Sequence, residues 1–258
     1  MRHLLKPLVV RHRKRRSLRL GLDSRDPFVV ARELVGSGAR MIFDVGAHEG
    51  IVAKRYRELF PDAMIHCFEP FPGSFTKLEQ ATSALGPIEL HAVALAEREG
   101  QAEFAVNRNS ATNSLLASDT RAGVYWRGDT PATVDKLIVT TTTLDSFTAE
   151  QSIPRVDILK MDVQGGEYDV LLGAEDLLRR QAIGLIYMEL ITAPTYVGQH
   201  RAGEYLRLFE TAGYELFDIY NPGRSRGRLL QTDVIFVNPE TLRRYEDRLR
   251  AVDEARDR

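Results

Sequence analysis

Asp44, Gly46, His48 and Gly50 stand close together in MIFDVGAHEG, residues 41–50, and Glu69 and Asp162 each close a further apolar run. Glycines that border a turn let backbone N–H groups approach a ligand closely at a helix N-terminus. Dinucleotide turns carry G-x-G-x-x-G after the strand. Here the spacing is G-x-x-x-G, with Asp44 two residues ahead of Gly46. A carboxylate at that point repels a pyrophosphate and suits a cation, of which the ammonium of S-adenosylmethionine (SAM) is one. Glu69 follows Asp44 by 25 residues and ends MIHCFE, just before Pro70. An acidic residue so placed can accept hydrogen bonds from both hydroxyls of a ribose. NAD and SAM both use that role, so Glu69 points to an adenosine ligand without choosing between them. Its plainer reading is that it opens the turn at Pro70.

These residues need a scaffold that brings them together. Met41, Ile42 and Phe43 form a short apolar run, as in a central parallel strand, and Val52, Tyr56, Leu59 and Phe60 then recur at helical spacing. Asp26-Pro27 reads as the cap and first residue of a helix through Val35, stopped by Gly36 and Gly38. Strands are expected at 41–45, 64–69 and 88–95, with helices at 50–60 and 72–84 between them. The segments 102–106 and 137–143 are β-rich and read as an inserted hairpin around a long polar loop. Alternation resumes with a strand at 156–161, a helix at 167–180 broken at Gly173, a strand at 185–190 and a helix at 203–212. Two last strands, 214–220 and 233–237, are joined by the turn Pro222 to Arg228 and form an antiparallel hairpin. A charged helix over 239–258 reads as solvated. Alternating strands and helices imply a parallel sheet covered on both faces, with ligands beyond the carboxyl ends of its strands. Asp44, Glu69 and Asp162 all fall at such ends and converge on one edge.

A chain of 258 residues can form one large α/β domain. No apolar run reaches the roughly 18 residues that span a bilayer. The single cysteine, Cys67, excludes an intrachain disulfide, fits a reducing compartment and reads as a small core residue. The expected location is the cytoplasm. Net charge is −1, yet residues 1–20 hold eight Lys or Arg and no Asp or Glu, which leaves −9 on the remainder. The boundaries drawn from this are a basic tail at 1–22 and one domain at 23–258. The tail reads as a solvated extension or, alternatively, as a weak peripheral contact with anionic lipid or another polyanion.

DVGAHEG, CFEP, TTTLDSF and above all DILKMDVQGGEYDVLLGA resemble the FkbM family of SAM-dependent methyltransferases, from about Met41 to Val237. The resemblance implies a Rossmann-like class I methyltransferase fold: a mostly parallel seven-stranded sheet, helices on both faces, the last strand antiparallel. The class turn [D/E]-x-G-x-G-x-G stands here as Asp44, Gly46, His48 and Gly50, with His48 replacing the central glycine, a departure common in FkbM-type chains. SAM is the implied cofactor, held by Asp44, Gly46, Ala47, His48, Gly50, Glu69, Pro70 and Asp162. Asn113 and Ser114 stand where FkbM-like chains carry a Ser-rich element, and the resemblance implies that this element closes over the cofactor carboxylate or the substrate.

Methyl transfer from a sulfonium is an in-line displacement, so the protein must align the nucleophile, exclude water and hold a base near the attacking oxygen. Asp162 is the first candidate base; it also reads as a cap for the helix that follows. His48 is the alternative base. Glu167 would stabilise a helix dipole whatever else it does. Glu189 reads equally as a substrate or metal contact and as a partner for buried backbone groups. A divalent metal is compatible with this chemistry but is not predicted, and no ligand is assigned. His66, His91 and Trp126 read as packing residues or loop anchors. The D/N-P-P-Y/F motif of amine-methylating nucleobase enzymes is absent; MDVQ stands in its place and Asn221-Pro222 comes too late. The resemblance therefore implies O-methylation of a sugar, glycolipid or natural-product hydroxyl, with no nucleic-acid partner. Two alternatives stay open: a non-catalytic methyltransferase-like binding module, and an NAD-dependent oxidoreductase, which the glycine spacing and Asp44 oppose. Oligomeric state is not legible.

Overall fold

The structure is a computed structural model that describes residues 26–126 and 131–255. The basic tail lies outside the described residues. The chain runs α1 (Pro27–Val35), β1 (Met41–Val45), α2 (Ile51–Leu59), β2 (Met64–Phe68), α3 (Pro72–Thr82) and β3 (Ile88–His91). It continues with β4 (Ala94–Leu95), β5 (Gly100–Asn107), a 3-10 turn at Ser110–Thr112, α4 (Ala122–Tyr125) and β6 (Thr133–Thr142). Then come α5 (Leu144–Glu150), β7 (Val156–Met161), α6 (Glu167–Leu172), α7 (Glu175–Arg179) and β8 (Ile183–Ile191). The last elements are α8 (Ala202–Thr211), β9 (Glu215–Ser225), β10 (Arg228–Val237) and α9 (Pro239–Glu254).

The main sheet has seven strands in the order β3-β2-β1-β7-β8-β10-β9. The first five are parallel and β10 is antiparallel to both neighbours. This is the class I methyltransferase fold that the sequence led us to expect. The order reverses direction between β1 and β7, the point where open α/β sheets leave a crevice for ligand. Strand residues alternate between two apolar layers. Phe43, Val45, Phe68, Leu159 and Met161 pack under α5 to α8, while Ile42, Ile65, Cys67 and Ile158 pack under α1, α2, α3 and α9.

Four local expectations need correction. The strand expected over 88–95 stops at His91 and bends at Val93, and Ala94–Leu95 leaves to pair with β6. The insertion is therefore a three-stranded sheet, β4-β6-β5, built on the expected β5–β6 hairpin. The turn read at 222–228 is mostly strand. Arg226 and Gly227 alone form the turn, both at positive φ as a two-residue type I′ hairpin requires. Pro222 is tolerated because β9 is an edge strand. The C-terminal helix is not wholly solvated: Tyr245 is buried against α1's layer, and Arg248 donates to the carbonyls of Glu33 and Leu34, capping α1. No helix among the described residues is long and apolar enough to cross a membrane.

Candidate ligand site at the carboxyl edge of the sheet

The β1–α2 turn is held by its neighbours. Gly46 N and Ala47 N both donate to the Phe68 carbonyl, and His48 N donates to Glu69 Oε2 at 2.9 Å. Phe71 N donates to the other oxygen, Oε1, also at 2.9 Å. Burial raises the pKa of Glu69, and these two N–H groups oppose the rise. One backbone donor on each oxygen fixes the carboxylate yet leaves lone pairs on both for two further donors. Gly46 has a φ of 74° and lies against the Asp162 carbonyl, so a Cβ there would collide with it. His48 occupies the left-handed region at φ 47°, where glycine is the easy occupant, and its Nε2 is 2.9 Å from Ser110 Oγ. Burial lowers the His48 pKa, so its ring is neutral at neutral pH.

The turn after β7 is bound into a larger polar network. Gln164, at φ 57°, donates from Nε2 to Asp162 Oδ1 (2.7 Å) and to Glu189 Oε2 (3.0 Å). Its Oε1 accepts from the Tyr196 hydroxyl at 2.9 Å, and its carbonyl accepts from Ser114 Oγ at 2.8 Å. Glu167 Oε1 accepts from Val163 N at 2.9 Å; burial pushes the Glu167 carboxyl up to about 7. Burial, reinforced by the charges of Asp162 and Glu167, holds Glu189 well above the usual carboxylate range, which favours its protonated form.

Between these two turns is a cavity of about 140 Å³, roofed by the segment 110–115 of the inserted sheet's loop. Of the sequence-derived site residues, Gly46, His48, Glu69, Pro70, Asn113 and Asp162 border it. Asn113 Oδ1 accepts from Asn107 N, but its Nδ2 is buried without a hydrogen-bond partner. A buried donor left unmade costs about 1–3 kcal/mol, so a cavity-lining residue that keeps one is suited to a ligand acceptor.

Asp44, Ala47, Gly50 and Ser114 do not border the cavity. Asp44 lies on the other side of the strand. The pleat that sends Val45 toward the cavity side turns Asp44 into the α2 layer, directly across from Lys160 in the β1–β7 register. Lys160 Nζ lies 3.1 Å from Asp44 Oδ1 and donates to the Gly46 carbonyl at 3.2 Å. The approach to Asp44 is an ion pair off hydrogen-bonding direction, since neither Asp44 oxygen has a hydrogen-bond partner. Burial works against the Lys160 charge, but Asp44 and Asp162 outweigh it and keep the amine protonated. Desolvation, the larger effect, raises the Asp44 pKa against the pull of Lys160. So Asp44 is already paired and serves the turn from beneath.

Sequence reading did not single out Ser110 and Gln164, which border the cavity, or Lys160 and Tyr196, which brace its two turns. A lysine inside the apolar run DILKM is a visible signal for Lys160. Tyr196 sits in irregular chain between β8 and α8 and gave none. Trp126 is a loop anchor as expected, its Nε1 donating to Thr195 Oγ1 at 2.8 Å. Cys67 is buried core.

The chain is similar to known proteins to differing extents. The 2-O-methyltransferase NoeI of Sinorhizobium fredii is 29% identical over 168 residues, covering 62% of this chain and 66% of that protein. Methyltransferase 1 of Beauveria bassiana is 25% identical over 145 residues, covering 52% of this chain and 58% of that protein. The chain thus spans less than two thirds of either relative. A solved FkbM methyltransferase from Methylobacillus flagellatus superposes with a TM-score of 0.46 at 13% identity, covering 77% of this chain and 43% of the other. The family model of the methyltransferase FkbM domain matches residues 44–216, two thirds of the sequence, and the chain belongs to that family.

Proposed function

We propose that the protein is a SAM-dependent methyltransferase acting on a hydroxyl of a sugar, glycolipid or natural-product acceptor. The observation that carries the reading is Glu69: a carboxylate on the cavity wall, fixed by His48 N and Phe71 N, with an acceptor direction left on each oxygen. Such a carboxylate fits a ribose diol. The unpaired Asn113 Nδ2 supplies a donor for another ligand acceptor on the same wall. Family membership supports methyl transfer, and the printed activity of the rhizobial relative supports oxygen as the nucleophile. When bound, SAM supplies an electrophilic methyl group on a sulfonium.

The chain's own residues then have three tasks. Glu69 and the β1–α2 turn hold the nucleoside. The loop segment 110–115, with Leu115 and Phe104 on the cavity wall, excludes water. Asp162 takes the hydroxyl proton, kept in orientation by Gln164 Nε2. His48 is a second candidate for that proton because its ring is neutral and borders the same cavity.

Calorimetry with SAM, S-adenosylhomocysteine and NAD tests the cofactor. Glu69→Ala should weaken SAM by about 1.5–3 kcal/mol for each lost hydrogen bond to the charged group. Undiminished SAM affinity in that variant, or a preference for NAD, would refute the assignment. A hydroxyl-acceptor panel with product detection by mass tests the reaction itself.

A further inference from the structure

Outside the cavity, three potential metal ligands meet on one face of the sheet's edge. His66 on β2 and Glu89 and His91 on β3 project to the same side, since His66 is paired with Glu89 and Phe68 with His91. His66 Nδ1 is 3.0 Å from His91 Nε2 and 3.5 Å from Glu89 Oε2, and all three ligand atoms lie within 4.8 Å of one another. Two ligands at about 2.0–2.1 Å from a tetrahedral zinc stand about 3.3 Å apart. Both short separations already match that value. The surroundings are apolar: Phe147 contacts both imidazoles edge-on, Phe43 tilts against His66 and Phe68 stacks on His91. His66 is buried, and Glu89 opens the group to solvent at the edge strand. The cluster belongs to neither the cavity nor the polar network around Gln164.

We propose that His66, Glu89 and His91 form a binding site for a divalent transition-metal ion, zinc foremost, with the fourth position open to water. Imidazole nitrogen with a carboxylate is a donor set for zinc, cobalt or nickel rather than for magnesium or calcium. Ligation takes both imidazoles in their neutral form. The hydrogen now shared between Nδ1 of His66 and Nε2 of His91 moves to an outer ring nitrogen, leaving His66 as the Nε2–H and His91 as the Nδ1–H tautomer. No net proton need be released by the pair. The ion staples a four-residue edge strand to β2, directly below Glu69, whose N–H donates to the His91 carbonyl at 3.0 Å. Its role is therefore structural, and the site stands whether or not the chain binds SAM.

The test uses the full chain, freed of metal by a chelator and titrated with Zn²⁺ and Co²⁺. One equivalent of Co²⁺ should give the strong visible absorption of a four-coordinate site, and Zn²⁺ should displace it. His91→Ala should weaken Zn²⁺ by at least about 100-fold, since loss of outer-shell partners alone costs about 10–100-fold. Glu89→Gln lies on an exposed edge and leaves the core untouched; it should weaken Zn²⁺ while retaining wild-type melting without metal. His200→Ala, a histidine on α8's approach, should change nothing. Zinc bound no tighter than millimolar would overturn the proposal, as would a cobalt band that survives both His91→Ala and Glu89→Gln.

Discussion

Asp44 shows how far a residue's meaning depends on its register partner. Its place before Gly46 invites a cation, and the cation it meets is Lys160, at 3.1 Å inside the α2 layer. Removing one partner of a buried pair strands the other, at a cost of about 3–5 kcal/mol, whereas replacing both with apolar groups is often neutral. Lys160→Met should therefore destabilise the fold strongly in urea titration, and Asp44→Leu combined with Lys160→Met should recover most of the loss. A double variant no more stable than the single one would show that the pair does more than balance charge. The base can be assigned at the same scale. Asp162→Asn should slow single-turnover methyl transfer more than it weakens SAM. If His48 is instead the base, activity must fall as pH drops through its pKa, which burial places below the ordinary 6.5. The rate would then be flat through neutrality, fall on the acid side and vanish in His48→Ala. A wild-type rate in Asp162→Asn would move the role to His48.

At the scale of elements, the two turns beyond β1 and β7 behave as one unit. Gly46 touches the Asp162 carbonyl, Asp162 N donates to the Val45 carbonyl, and Lys160 supports Gly46 from below. Helix α6 begins at Glu167, which is buried and accepts from Val163 N. Its folded pKa, raised from 4.5 to about 7, means that the folded chain keeps a proton the unfolded chain releases between those values. That contribution to stability must fall as pH rises from 4.5 to 7. Each pKa unit is worth about 1.4 kcal/mol, so Glu167→Gln should flatten the stability profile by up to roughly 3 kcal/mol across this window. Parallel profiles for wild type and variant, from denaturant melts at a series of pH values, would contradict the burial of an ionising group there.

Across the whole molecule, the cavity joins the main sheet to the inserted one, because the roof over it comes from the β5–β6 loop. Binding by SAM or S-adenosylhomocysteine should stabilise the fold by mass action, by about 2.7 kcal/mol at 100 times Kd, and so raise the thermal midpoint; NAD should not. The eight basic residues of the tail support a separate prediction, that the full chain sediments with anionic vesicles at low salt and is released at high salt. Equal sedimentation of a chain lacking residues 1–20 would make the tail a passive extension. Periodicity and glycine placement in the sequence by themselves determined the alternating elements, the parallel sheet, the hairpin insertion and the strand ends that carry Glu69 and Asp162. Those are local properties: side-chain repeat and turn chemistry act within a few residues. Tertiary structure alone decided that Asp44 faces Lys160, because that follows from the β1–β7 register, set between segments more than a hundred residues apart. It alone joined Gln164 to Tyr196 and Glu189, and His66 to Glu89 and His91, because hydrogen bonds and metal geometry depend on distances that no spacing along the chain contains.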